Sequence, residues 1–358
     1  MSPGIPVTKG GVVVKAALAL WLFALSFPGL GAAALRVDQP VYDFGEVTAG
    51  YVIQHAFLLT NVGDEVLHFT RAPVASCGCS YASLPVDRLA PGESVELVVL
   101  LDTADFGGRG VAKWVYVYTD APGSRRVKLT LRGYVKRALP WQGSASSLYW
   151  NWYLLVDLRL PEEYLAGHLL GAVNLPLPRL EEGLAGLSRE SPIYLYDADG
   201  TSLSQAIGVC RELGFSAVRG IMGGAAGWID QVGDLFWIGK RPGQGPAVEG
   251  EAFLVQPQQL ARRYTVVLDL RPQEGYAAGH LPGAIHVPPH ELEEFAKCLP
   301  RPRGEAQLEL WCLDENEEVS CRAAQLLRDM GFPDAKCLIG GLAQWRLLYG
   351  EGLFSETD

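Results

Sequence analysis

Positive charge is in short supply in this 358-residue chain. Thirty lysines and arginines stand against 40 aspartates and glutamates, a formal net charge of −10. The first 34 residues contain no acid and only Lys9 and Lys15 as bases, so without them the balance is 28 basic against 40 acidic residues. Nucleic acid and anionic membrane surfaces are therefore not expected as general partners, because both are bound through a surplus of basic side chains. Compositional bias is lacking too. With 49% hydrophobic and 20% charged residues the chain is neither disordered nor collagen-like, and its length allows two or three domains. No cysteine precedes Cys77, so a lipid-anchored start is not indicated. Nothing calls for a cofactor or a dedicated metal centre.

What is present begins with a leader. Lys9 and Lys15 precede the apolar run 16–27, followed by Pro28, Gly29 and the small residues 31–34. This order predicts a signal peptide over residues 1–34, with cleavage after Ala34. The competing reading is an uncleaved anchor, since residues 16–35 carry no charge and are long enough to span a bilayer. The membrane is a partner only in that case. Either way the remainder is expected to be exported, in a periplasm-like compartment where thiols oxidise. The seven cysteines are an odd number, which leaves at least one unpaired. Cys210 and Cys337 fall in apolar segments and read as core, while Cys298 gives no specific signal.

Over residues 36–138, short alternating apolar runs are split by turn residues. Val95, Leu97, Val99 and Leu101 form one such run, Val127, Leu129 and Leu131 another, and Pro91-Gly92, Gly107-Gly108 and Pro122-Gly123 mark turns. The pattern predicts an all-β sandwich with a core of its own. Phe44-Gly45-Glu46-Val47 with Gly50, Ser76-Cys77-Gly78-Cys79, Pro91-Gly92-Glu93-Ser94, Phe106-Gly107-Gly108 and Gly133 resemble the bacterial exported immunoglobulin-like domain that carries a Cys-Gly-Cys motif. That resemblance implies a fold rather than an activity. Cys77 and Cys79 are either structural or a redox or soft-metal pair, and along an extended strand a bridge between them is awkward.

The second half repeats itself. Val156-Asp157-Leu158-Arg159, Gly167-His168, Gly171-Ala172-Val173 and Pro176 recur 112 residues later as Leu268-Asp269-Leu270-Arg271, Gly279-His280, Gly283-Ala284-Ile285 and Pro288. Later landmarks recur at 117: Gly214-Phe215 with Gly331-Phe332, Gly223-Gly224 with Gly340-Gly341, and Trp228 with Trp345. Strands alternating with helices twice over predict two small α/β domains with parallel sheets, over residues 145–238 and 250–354. The landmarks resemble the rhodanese (thiosulfate sulfurtransferase) family. That resemblance implies a loop cysteine that accepts sulfane sulfur as a persulfide and passes it to a second thiol.

In the first copy the family's cysteine position is Asp197, with Gly200 as the loop glycine, so this copy is expected to be inactive and to wall off a shared cleft. Its aromatic run Tyr149, Trp150, Trp152 and Tyr153 replaces a clear opening strand and helix. Asp157, Arg159, His168, Asp269, Arg271 and His280 match the family and are expected to hold loops together. In the second copy, Leu308 to Trp311 read as a buried strand, Cys312 as the opening of the loop, and Ser320 as the N-cap of the next helix. A thiol at a strand's carboxyl end facing a helix N-terminus suits a sulfur nucleophile. The loop Leu313, Asp314, Glu315, Asn316, Glu317, Glu318, Val319 and Ser320 departs from the pattern. Cys312 lies eight residues before Ser320 rather than six, the glycine is missing, and no basic residue comes before Arg322. Thiosulfate is therefore a poor fit, and a bulkier sulfur carrier or a protein thiol a better one.

Three functions remain open. The first is an exported sulfurtransferase with Cys312 as catalytic nucleophile, served by a sulfane-sulfur donor and a thiol acceptor. The second is a non-catalytic binding scaffold. The third is thiol redox work by Cys312 with Cys321 as resolving thiol, or by Cys77 with Cys79.

Overall fold

The computed structural model describes residues 32–243 and 253–351. The expected leader lies outside that range except for its last three residues. The chain divides into two units, Met1–Ala138 and Leu139–Asp358.

The described part of the first unit contains nine strands: β1 (Leu35–Val37), β2 (Val41–Thr48), β3 (Val52–Asn61), β4 (Leu67–Ala75), β5 (Ser80–Ser83), β6 (Arg88–Leu89), β7 (Ser94–Asp102), β8 (Arg109–Thr119) and β9 (Arg126–Lys136). They form two sheets, in the orders β1-β3-β7-β5 and β2-β9-β8-β4-β6. The period-2 pattern is what closes them: Leu97, Val99 and Leu101 of β7 with Phe57 and Leu59 of β3 share a core with Val115 and Val117 of β8 and Leu129 and Leu131 of β9. This is the immunoglobulin-like sandwich. Cys77 and Cys79 sit in the turn between β4 and β5, not in a strand. Two extended residues span about 6.7 Å. The turn brings the two Cα atoms to 5.2 Å, and the pair forms a disulfide.

The second unit opens with β10 (Gln142–Gly143) and α1 (Ala145–Asn151), then runs β11 (Leu154–Asp157), α2 (Pro161–Ala166), β12 (Gly167–Leu169), β13 (Ala172–Asn174), α3 (Leu180–Gly183), β14 (Ile193–Tyr196), α4 (Leu203–Glu212), β15 (Val218–Ile221), α5 (Gly224–Val232) and β16 (Trp237–Gly239). The second copy follows as β17 (Leu254–Val255), α6 (Pro257–Ala261), β18 (Tyr264–Asp269), α7 (Gln273–Ala277), β19 (Ile285–His286), α8 (Leu292–Cys298), β20 (Leu308–Leu313), α9 (Glu318–Asp329), β21 (Lys336–Leu338) and α10 (Gly341–Tyr349).

The sheets do not follow the contiguous stretches 145–238 and 250–354. One has the order β10-β21-β20-β18-β19 and the other β13-β11-β14-β15-β17, so each copy's opening strand completes the other copy's sheet. Gln142 and Gly143 pair with Cys337 and Leu338, and Leu254 and Val255 with Gly220 and Ile221. Gly143 is required by close approach, because a Cβ there would fall 2.2 Å from the buried Trp311 ring. The aromatic run of the first copy is accordingly not a lost element but part of an exchanged arm. Ser144 caps α1 by accepting from the Ser147 amide at 3.0 Å, and Tyr149 stacks on Tyr349 of α10 at 4.3 Å.

Across the junction, equivalent positions of the two copies, 112 apart, make matching contacts. The Tyr264 hydroxyl donates to the Leu170 carbonyl at 2.7 Å, and Trp152 Nε1, its counterpart, to the Pro282 carbonyl at 3.4 Å. Arg263 donates to Asn151 at 3.0 Å. The two copies are thus related by an approximate two-fold, and each depends on the other for a strand and a helix.

Candidate functional site

Each copy presents a loop between the carboxyl end of a central strand and the next helix. Strand register fixes which residue opens it. Asp157 pairs with Tyr196, and its repeat counterpart Asp269 with Leu313. The residue after the strand is therefore Asp197 in the first copy and Asp314 in the second, 117 apart. Cys312 corresponds to Leu195, inside the strand.

Both aspartates are buried, at 6% and 5% exposure, and both are filled with donors. Asp197 accepts from the Gly200 amide at 2.5 Å, the Ser202 amide at 2.7 Å and the Ser202 hydroxyl at 2.6 Å. Asp314 accepts from the amides of Glu317 at 2.7 Å, Val319 at 2.7 Å and Ser320 at 3.3 Å, and from the Ser320 hydroxyl at 2.7 Å. Loop and helix-start N–H groups form an anion cradle, and in each copy a carboxylate of the chain itself occupies it. Ser320 acts here as a donor in the first turn of α9, not as its N-cap, which is Glu317.

Below the cradle the glycine pair admits the next helix. A Cβ at Gly341 would come within 2.5 Å of the Asn316 amide, and one at Gly224 within 2.6 Å of Asp197. The helix amides then reach the loop: Leu342 donates to the Asp314 carbonyl at 2.9 Å and Ala225 to the Asp197 carbonyl at 2.8 Å. Glu317 takes the left-handed conformation, φ +72°, that Gly200 takes at φ +93°. The two loops are therefore equal in length, and the expected two-residue extension disappears once Asp314 is placed at the strand end.

Cys312, expected to open the loop, is 0% exposed and part of the core. Burial, and after it the charge of Asp314, pushes its thiol far above the usual range. Leu313 and Trp311 beside it are equally buried. Cys321 does not resolve Cys312. It is bonded to Cys337, which is therefore not a lone core cysteine. Among the described cysteines Cys210, Cys298 and Cys312 are free, and burial pushes Cys210 up to about 11.

The acidic loop is less exposed to self-repulsion than its sequence suggests. Glu315 and Glu318 face solvent, Glu315 pairs with Arg346 of α10, Glu318 with Arg322 at 3.5 Å, and Glu317 accepts from the Gly340 amide. Asn316 is exposed beside them. Sequence order hid Arg346, which lies 31 residues from Glu315.

The family-matching ion pairs are buried framework. Arg159 meets Asp157 at 2.6 Å and donates to the Gly167 carbonyl; Arg271 meets Asp269 at 2.7 Å and donates to Gly279. His168 and His280 stack on Tyr164 and Tyr276 and hydrogen-bond their carbonyls at 2.9 and 3.0 Å. A cavity of about 570 Å³ lies between the copies, lined by Tyr164, His168, Asn174, Phe295 and Cys298 among others. No residue of either loop lines it, so the expected shared cleft and the loops are separate places.

The sequence marks Asp314 only as one acid of the loop, not as the residue that opens it. Six residues before Ser320 lands on it, and so does the 117 offset from Asp197.

This chain belongs to the rhodanese-like domain family, whose model matches residues 144–231 and 256–348, just over half of its length. Residues 35–135 match a family described as a protein of unknown function, DUF1573. The uncharacterized protein YqhL of Bacillus subtilis is 32% identical over 74 residues, 21% of this chain and 59% of that protein, so this chain spans less than two thirds of it. Thiosulfate sulfurtransferase GlpE of Pseudomonas fluorescens is 36% identical over 92 residues, 26% of this chain and 80% of that one. A solved thiosulfate sulfurtransferase of Pseudomonas aeruginosa is 26% identical, covers 57% of this chain and 41% of its own, and has a TM-score of 0.24.

Proposed function

We propose that the tandem is an exported rhodanese-like binding scaffold in which neither loop carries sulfur, with the sandwich docking a partner. The observation that carries this reading is the occupied cradle. In both copies the amides that would receive an anionic sulfur species already donate to Asp197 or Asp314. A carboxylate cannot form a persulfide, and a small anion would have to displace it from charge-assisted hydrogen bonds worth about 1.5–3 kcal/mol each. A persulfide on Cys312 would require an outside sulfur donor to reach a strand position with no exposure. Export is supported by the apolar leader and by the pairing of Cys77 with Cys79 and Cys321 with Cys337, which suits an oxidising compartment.

Asp314→Cys tests the reading, because it sets a thiol where the amides of Glu317, Val319 and Ser320 converge. The parent is expected to transfer no sulfur from thiosulfate to cyanide above background, and the variant to gain a persulfide at position 314. Transfer by the parent that is lost in Cys312→Ser would replace the scaffold with sulfur transfer through Cys312.

A further inference from the structure

Three cysteines of the second copy meet beneath its loop. Cys312 of β20 and Cys337 of β21 are register partners in a parallel pair, so their side chains leave the same face of the sheet. That face is the one α9 covers, since Cys337 is bonded to Cys321 in the first turn of α9. Cys312 is therefore a free buried thiol beside a disulfide, all within one core cluster. Adjacent strands lie about 4.8 Å apart, inside the Cα span of roughly 4.4–6.8 Å that a disulfide bridges. The fold does not demand sulfur there. The corresponding residues of the first copy are Leu195, Ser204 and Gly220, and Leu195 and Gly220 hold the same register.

We propose that Cys312, Cys321 and Cys337 form an internal thiol–disulfide exchange site. The Cys312 thiolate attacks Cys337 Sγ, the Cys312–Cys337 bond forms, the Cys321–Cys337 bond breaks, and Cys321 leaves as a thiolate that takes up the proton Cys312 released. The number of disulfides is unchanged, so neither oxidant nor reductant is consumed. The two positions differ in what they hold. With Cys321 bonded, the turn that supplies the Val319 and Ser320 donors to Asp314 is tied to β21. With Cys312 bonded, that turn is released and a half-buried thiol is unmasked at the foot of the loop. The exchange is independent of whether either loop carries sulfur.

Disulfide mapping by mass spectrometry on the full-length protein, after acid quench and alkylation, tests this. In a glutathione redox buffer Cys321→Ser is expected to form Cys312–Cys337 in most chains, and Cys312→Ser to keep Cys321–Cys337. The parent is expected to show a minor population with Cys312–Cys337 bonded and Cys321 alkylated. A folded Cys321→Ser protein, judged by its circular dichroism melt, with Cys312 and Cys337 both alkylated would overturn the proposal. Should that variant not fold, the parent decides: Cys321 alkylation never accompanied by a Cys312–Cys337 bond would overturn it equally.

Discussion

The two copies of the α/β module build the same cradle from different parts. In the first, Gly200 supplies the left-handed residue and Ser202 the hydroxyl; in the second, Glu317 and Ser320 do so, one position further along the repeat for the serine. Loop sequence has drifted while the aspartate at the strand end and the amides converging on it have not. The occupied cradle is therefore a property of Asp197 and Asp314 and of the strand-to-helix geometry, not of the loop's composition. Where the copies differ is sulfur: Cys312, Cys321 and Cys337 in one, Leu195, Ser204 and Gly220 in the other.

The largest effects should come from the framework the copies share. Asp157→Ala and Asp269→Ala each strand a buried guanidinium and should destabilise by about 3–5 kcal/mol. Because the arms are exchanged, the two copies should unfold in urea in one shared transition in either variant, whatever the sandwich does; separate transitions for the two copies would show that they stand alone. Gly143→Ala comes next. It forces a Cβ against Trp311 and should cost about 1–3 kcal/mol. A neutral result in the melt would break the exchanged-arm description.

Alkaline pH should separate the copies by their thiols. In the folded state Cys312 and Cys210 hold their protons above the ordinary thiol value of 9.0, which the unfolded chain keeps. Above pH 9 the unfolded state therefore binds fewer protons, and stability should fall as pH rises, by up to about 1.4 kcal/mol per pH unit for each such thiol. For Cys210 that loss should end near pH 11. Cys312→Ala should flatten the slope measured by urea midpoints between pH 9 and 10.5. The smallest effect is expected at the left-handed residues. Gly200→Ala should cost about 1–2 kcal/mol, and Glu317→Gly should stay within about 1 kcal/mol of the parent, because relief of the backbone offsets loss of the contact with Gly340. A clear loss on Glu317→Gly would make its carboxylate, not its backbone, the important part.

Much of this was legible in the sequence. Alternation marked the sandwich core in the runs from Val95 to Leu101 and from Val127 to Leu131, and the 112 and 117 offsets marked two parallel-sheet copies with Asp-x-Arg pairs in place. The exchanged arms were not legible, because Gln142–Gly143 and Leu254–Val255 are strands of two residues, too short for periodicity, and their partners lie far along the chain. The pairing of Cys321 with Cys337 was hidden for the reason that connectivity cannot be read from cysteine positions. At the site itself, the expected nucleophile was placed by residue type. A cysteine after an apolar run drew the loop two residues too early, although the serine spacing and the repeat offset both pointed to Asp314. At Cys77 and Cys79, Gly78 permits a turn where alternation suggested continued strand.

The central claim is that the chain's own carboxylates fill both cradles and leave no sulfur carrier in either loop. The mass of the tryptic peptide holding Cys312, taken after the folded parent is exposed to polysulfide and quenched, tests it most directly. The account expects no added sulfur on Cys312 when fragmentation of that peptide, which also holds Cys321, assigns the site. A gain of one sulfur on Cys312 would contradict it.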